Sequence, residues 1–199
     1  MEAPRQRGQK PAILRVAHLR GGLQTARMKR SLLVLCLLTT GAFAGPDLTS
    51  FQEGDAKLRE RLKPIDAEHP PELQVTNWIN ASPATLASLK GKIVVLDFWA
   101  TWCGPCIASI PHTNELAAKY KDKVVIIGVC HPQGGEKMAE MVKEKGIKYP
   151  VCLDATGATA KAYAVNGFPD YYIFDATGKL ALADCANSAV EGALEALTK

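Results

Sequence analysis

The sequence predicts an α/β fold in which a mixed central sheet is flanked by helices on both faces. Two observations predict it. Patterns typical of buried strands alternate with helical patterns through the middle of the chain, as in parallel strands joined by helical crossovers. The last two strand patterns are separated only by a tight turn, which indicates an antiparallel hairpin. A chain of 199 residues, 47% of them apolar, is long enough to bury one such core.

The first elements follow from hydrophobic periodicity. ELQVTNWIN (72–80) alternates apolar and polar residues, as an edge strand does. GKIVVLDFWA (91–100) is a nearly continuous apolar run, which predicts a central strand covered on both faces. IASIPHTNELAAKYK (107–121) has helical spacing, and Pro111 predicts a kink within it. DKVVIIGVC (122–130) is a second buried strand.

The remaining elements complete the alternation. In chain order they are a helix at 136–146, a short strand at 149–154, a short helix at 156–165, a hairpin at 170–185 and a closing helix at 187–199. Ala176-Thr177-Gly178 is predicted to form the hairpin turn, and Asn187 or Ser188 is predicted to cap the closing helix.

Residues 1–44 are predicted to be a leader that is absent from the mature protein. From Met28 the sequence has a basic start, an apolar stretch and a small-residue cleavage site ending at Ala44, which together predict a secretory signal peptide over 28–44. The apolar stretch is well short of the ~20 residues that span a bilayer. We therefore expect an exported or periplasmic protein. It would have an N-terminal extension or linker at 45–71 and one domain at 72–199.

Charge and cysteine content narrow the function further. The leader contains 8 of the 24 Lys and Arg residues and 1 of the 20 acids, so the formal charge is +4 for the whole chain but −3 for residues 45–199. This balance argues against nucleic acid as a partner. Of six cysteines, Cys36 lies in the leader, and the odd number that remains leaves at least one without an intramolecular partner.

The segment TWCGPC carries the chemistry. A structural zinc site needs four ligands, but the sequence has one C-x-x-C pair and isolated histidines, so we predict no metal and no cofactor. A purely structural disulfide between Cys103 and Cys106 would close too short a loop to stabilise much. Redox chemistry fits better, because Cys103 lies between a buried strand and a helix, whose N-terminus stabilises a thiolate. Cys106, one turn into that helix, is expected to be the more buried, resolving thiol.

These residues resemble a known family. VVLDFWATWCGPC (94–106) is similar to the active-site segment of the thioredoxin superfamily. The wider pattern over 72–199 resembles the exported TlpA/ResA-type thiol-disulfide oxidoreductases. The resemblance implies a thioredoxin-like fold with a strand–helix insert before a cis-proline.

The resemblance also assigns candidate site residues. Phe168-Pro169 matches the loop whose cis-proline faces the cysteines, and it implies that the Phe168 backbone pairs with an extended substrate. Asp97 matches a buried carboxylate beneath the pair, which would take the proton of Cys106 during resolution. Trp102 is expected to be an exposed aromatic surface beside the sulfur. Substrate identity stays open, because Asp170 stands where the family commonly has Thr.

The favoured function is reduction of protein disulfides. Gly104-Pro105 between the cysteines resembles reducing thioredoxins. The resemblance implies exported disulfide-containing proteins, such as apocytochrome c, as substrates and a membrane thiol reductant of the DsbD/CcdA kind as electron donor. We expect a monomer. Two alternatives remain, a non-catalytic binding module and a thiol peroxidase. The resemblance implies that thiol peroxidases have Thr or Ser at the position of Ala100.

Cys130 and Cys152 form a possible second disulfide. In the implied fold their strands are parallel neighbours, so the two residues could lie about 4.8 Å apart, within the range of a disulfide. The alternative is two buried free thiols, because a slip of one residue in register would turn one side chain to the opposite face. Cys185 is left unpaired in either case.

Overall fold

A six-stranded mixed sheet forms the centre of residues 45–199, the part of the chain that the computed structural model describes. The predicted leader and signal peptide lie outside the described residues. The strands are β1 (Thr76–Ile79), β2 (Ile93–Trp99), β3 (Val124–Cys130), β4 (Val151–Leu153), β5 (Asp170–Phe174) and β6 (Leu180–Cys185). The helices are α1 (Gly104–Lys119), α2 (Met138–Glu144), α3 (Ala158–Ala162) and α4 (Val190–Thr198).

The strand order is β1-β4-β3-β2-β5-β6, which confirms the predicted mixed α/β sheet. β2, β3 and β4 are mutually parallel, whereas β5 pairs antiparallel with β2 and β6 antiparallel with β5. β1 is an edge strand, as its alternating pattern predicted, and it pairs antiparallel with β4. The predicted turn of the β5–β6 hairpin is also present, with Gly178 at a φ of 93°.

β2 divides the core into two layers. All seven of its residues are buried, as its continuous apolar pattern predicted. Val95 and Trp99 belong to a cluster that includes α1 and α4, while Leu96 and Phe98 belong to a cluster on the other face of the sheet. Since side chains alternate along a strand, Asp97 faces the same side as Val95 and Trp99, which is the side of α1.

One helix start agrees with the predictions and one differs. α1 begins at Gly104, directly after Cys103 as predicted, with Cys103 as N-cap, and it continues through Pro111. α4 begins only at Val190, after a short 3₁₀ turn, and no side chain caps it. The predicted cap by Asn187 is wrong because its amide bonds elsewhere, accepting from the Tyr171 hydroxyl and donating to Ser109.

The N-terminal extension packs against the domain. Leu48 is buried in the α1 side of the core, and Gln52 forms a β-bridge with Cys185 at the end of β6. Further along, the backbone of Leu180 donates to the carbonyl of Ala67. Through these contacts, residues 48–67 cover the edge strand β6.

Cys130 and Cys152 are not joined in this structure. β3 and β4 are parallel neighbours as predicted, but Cys152 pairs with Val129 rather than with Cys130. This offset of one residue places Cys130 in the α1-side core and Cys152 in the opposite core. Both are free thiols, as is Cys185, and burial raises the pKa of each to about 12.

We therefore expect Cys130, Cys152 and Cys185 to resist alkylation while the protein is folded. Their burial and raised pKa leave almost no accessible thiolate at neutral pH. Peptide mapping after iodoacetamide treatment, with and without denaturant, measures this directly. A disulfide-linked Cys130–Cys152 peptide from protein prepared under oxidising conditions would contradict the observed register.

Candidate active site

Cys103 and Cys106 form a disulfide at the N-terminus of α1, just after β2, with their Cα atoms 5.3 Å apart. The backbone N–H of Cys106 donates to the Cys103 sulfur at 3.2 Å. Because that N–H belongs to the unpaired first turn of the helix, it can stabilise negative charge on the Cys103 sulfur when the bond is reduced. The arrangement therefore favours a thiolate at Cys103 rather than at Cys106.

The two cysteines are buried to the same extent, which corrects the expectation that Cys103 is the exposed member. Their relative exposures are 4% and 5%. The reason is that the bonded sulfurs lie together in the α1-side core. The difference between them is electrostatic, since Cys103 alone occupies the N-cap position.

Asp97 is a buried acid with no charged partner among residues 45–199. It lies on β2 between Gly128 of β3 and Tyr171 of β5, and one of its carboxylate oxygens has no hydrogen-bond partner in the same range. Burial raises the pKa of Asp97 to about 7, as the sequence predicted. Burial, and after it the Asp97 charge, also raises the pKa of Tyr149 and of Tyr171. Asp97 can thus exchange a proton near neutral pH although it is buried.

The Phe168-Pro169 peptide bond is cis, as the resemblance implied. The ring of Phe168 packs edge-on against Trp102 and His131, with centroid distances of 5.8 and 5.2 Å. Trp102 is 54% exposed and its indole N–H donates to the carbonyl of Gln133. The three rings form an aromatic surface next to the disulfide. His131 is one of the isolated histidines of the sequence, and only the fold brings it into this surface.

A charged cluster that sequence reasoning missed lies directly behind the cis-proline. Asp170 and Asp184 are buried on neighbouring strands, with exposures of 3% and 4%. Arg61 of the N-terminal extension donates to Asp184 at 3.1 Å and lies 3.9 Å from Asp170. The same guanidinium donates to the Asn166 side chain at 3.0 Å, within the loop that carries the cis-proline.

Opposing effects act on the pKa of Asp170. Burial, followed by the charge of Asp184, raises the pKa of Asp170 to about 8, and Arg61 opposes that shift. Neither oxygen of Asp170 has a hydrogen-bond partner in the part of the chain that the structure describes. The unusual Asp after the proline was the only sequence signal for this cluster, and nothing in the sequence indicated Arg61.

We expect Arg61→Ala to lower the free energy of unfolding by about 3 kcal/mol, because it leaves two buried carboxyl groups without a compensating charge. The loss should grow from pH 5 to pH 8 (roughly the range of the Asp170 titration), since a raised carboxyl pKa costs stability as pH rises. Denaturant unfolding measures this. Lys63→Ala, which removes an exposed positive charge from the same segment, should cost less than ~1 kcal/mol. Equal losses in both variants would contradict the assignment.

Within residues 45–199 no three His, Cys, Asp or Glu side chains are grouped so that they could hold a metal ion. In the same range, no helix has the length and apolar character needed to cross a bilayer.

The sheet order, with a disulfide at the end of its central strand, defines a thioredoxin-like protein. A sequence model of the Redoxin family matches residues 73–193, and the chain belongs to that family. The crystal structure of a protein described as the thiol:disulfide interchange protein DsbE from Chlorobium tepidum has the same fold. It is 29% identical, with a TM-score of 0.58, and the match covers 66% of this chain and 97% of that one.

Named relatives include ResA proteins. The thiol-disulfide oxidoreductase ResA of Oceanobacillus iheyensis is 31% identical over 157 residues, covering 76% of this chain and 77% of the relative. The ResA of Bacillus thuringiensis is 37% identical over 111 residues, which cover 55% of this chain and 64% of the relative. This chain thus spans slightly less than two thirds of the latter protein. The predicted place among the ResA-like members of the thioredoxin superfamily is confirmed.

Proposed function

We propose that this protein is a thiol-disulfide oxidoreductase of the cell envelope that reduces disulfides in exported proteins. The observation that carries the proposal is the Cys103–Cys106 pair at a helix N-terminus, with a buried acid on the same side of the sheet. Similarity to proteins named thiol-disulfide oxidoreductase supports the reaction type. The predicted signal peptide at 28–44 supports export.

The reaction begins with the reduced pair. The Cys103 thiolate, stabilised at the helix N-terminus, attacks one sulfur of a substrate disulfide. A mixed disulfide forms, and the other substrate sulfur leaves as a thiolate that takes a proton from water. Cys106 then loses its proton to the Asp97 carboxylate and attacks the Cys103 sulfur. The second substrate sulfur leaves as a thiolate that takes a proton from water, and Asp97 returns its proton to water. The Cys103–Cys106 disulfide forms, so two electrons pass from protein to substrate.

The direction of electron flow and the partners form part of the proposal. Gly104-Pro105 between the cysteines is typical of reducing thioredoxins, whose reduction potentials are about −270 mV. We propose a membrane thiol reductant of the DsbD/CcdA kind as the electron donor. Exported disulfide-containing proteins, apocytochrome c among them, would be the substrates, and Trp102, Phe168 and Pro169 would contact them.

The peroxidase alternative has less support. Ala100, which stands where such enzymes want a hydroxyl, is fully buried. The neighbouring Thr101 hydroxyl donates to the carbonyl of Gly134 and is therefore already engaged. No side-chain hydroxyl within this segment is positioned for a peroxide.

Insulin reduction with dithiothreitol as electron source tests the proposed activity. We expect the protein to accelerate precipitation of the insulin B chain catalytically, at a rate that scales with protein concentration. A non-catalytic binding module would leave the rate at that of dithiothreitol alone, and this result would reject the proposal.

A further inference from the structure

A groove of about 610 Å³ lies beside the cis-proline. The loop from Asn166 to Pro169 forms one wall, and Glu53 and Leu58 of the N-terminal extension form another. Pro105, which lies between the two cysteines, also lines the groove. The groove therefore extends from the N-terminal extension to Pro105, the residue directly before Cys106.

Arg61 holds the two walls together. Its hydrogen bond to Asn166 joins the extension to the loop, and its contacts with Asp170 and Asp184 anchor both to the sheet. The extension is also fixed near Glu53, whose backbone N–H donates to the carbonyl of Asp184 at 2.7 Å. The groove is thus formed before any substrate arrives, which reduces the ordering cost of binding.

The groove is acidic. Among the described residues, three acids line it and no lysine or arginine does. Arg61 compensates the buried pair Asp170 and Asp184, whereas Glu53 is exposed and has no ion-pair partner within residues 45–199. Beside it, Leu58 is 44% exposed. An extended polypeptide with a basic side chain, whose aliphatic stem could lie on Leu58, complements this surface.

We propose that this groove binds the substrate segment next to the reacting cysteine and that Glu53 selects substrates with a basic residue there. The inference rests on the proposed function, because it specifies the class of disulfide that the protein reduces. It assigns Glu53 and Leu58, which precede the residues matched by the family model, to substrate recognition.

The test uses two disulfide peptides that differ only in Lys or Glu two residues from the cysteine. We expect kcat/KM for reduction to favour the Lys peptide by about threefold, the size typical of an exposed ion pair. High salt should abolish the preference, because it screens exposed charges. Equal kcat/KM values for the two peptides at low salt would overturn the proposal.

Two variants test whether Glu53 is the source of the preference for the Lys peptide. Glu53→Gln should remove the preference, whereas Glu60→Gln, which removes an exposed acid outside the groove, should retain it. Retention of the full preference in Glu53→Gln would overturn the proposal, since the selectivity would then arise elsewhere.

Binding without turnover separates this proposal from the proposed activity. Peptides with Ser in place of Cys can be titrated into ¹⁵N-labelled protein. We expect shifts at Glu53, Leu58 and Asn166–Phe168 that are larger for the Lys peptide. Such shifts in a protein that reduces neither disulfide peptide would support the groove while rejecting the reductase. The absence of shifts at these residues would reject the groove even if both peptides are reduced.

Discussion

Replacing Cys103 by Ser is expected to abolish disulfide reduction, whereas replacing Cys106 by Ser is expected to trap substrates as mixed disulfides. Only the Cys103 sulfur lies at the N-cap, where the N–H of Cys106 and the helix end can stabilise a thiolate. Without Cys103 no attack occurs, and loss of a nucleophile typically costs a factor of about 10³ or more. Without Cys106 the attack proceeds but is not resolved.

Insulin turnover and non-reducing mass spectrometry of the reacted variants measure the two effects. Cys185→Ser is the matched control, because it removes a buried thiol that the mechanism does not use. Appreciable insulin reduction by the Cys103→Ser protein, or mixed disulfides attached to Cys106, would reverse the assignment of roles.

Replacing Asp97 by Asn is expected to slow resolution of the mixed disulfide by roughly 100-fold, because the proposed base on the α1 side of the sheet is lost while its volume is kept. In the native protein the resolution rate should rise with pH through about 7, since only the deprotonated carboxylate accepts a proton. The variant should lack that rise. Stopped-flow kinetics from about pH 6 to about pH 9 provide the comparison.

Asp97→Asn should also change the pH dependence of stability. In the native protein the resolution rate should rise with pH, whereas the free energy of unfolding should fall. The folded-state pKa of Asp97 is raised from 3.8 to about 7, so the folded state binds the extra proton and stability falls as pH rises through that interval. Asn should remove this part of the fall, which is on the order of 4 kcal/mol. Asp122→Asn, at an exposed position, is the control for both measurements. Native resolution kinetics that are flat with pH would exclude Asp97 as the base.

The parts of the site that are contiguous in sequence could be predicted, and the parts that depend on packing could not. The position of Cys103 between a buried strand and a helix follows from the apolar pattern of residues 91–100 and the helical pattern after the cysteines. The burial of Asp97 follows from the same apolar run. The sheet register does not, and an offset of one residue was enough to separate Cys130 from Cys152.

Arg61 is a stronger example of a feature that could not be predicted from the sequence. Its partners Asn166 and Asp184 are 105 and 123 residues away in the chain, so no local pattern connects them. Residues 45–71 are polar and contain prolines, which suggested a linker, yet Arg61 compensates buried acids behind the cis-proline. Long-range ion pairs of this kind become visible only when the fold brings their members together.

The most direct test of a reductase is the equilibrium redox potential of the Cys103–Cys106 couple, measured against glutathione by counting alkylated thiols. The proposed function predicts a reducing value, nearer to about −270 mV than to about −200 mV. A value of about −120 mV, typical of strong envelope oxidants, would contradict the reducing direction.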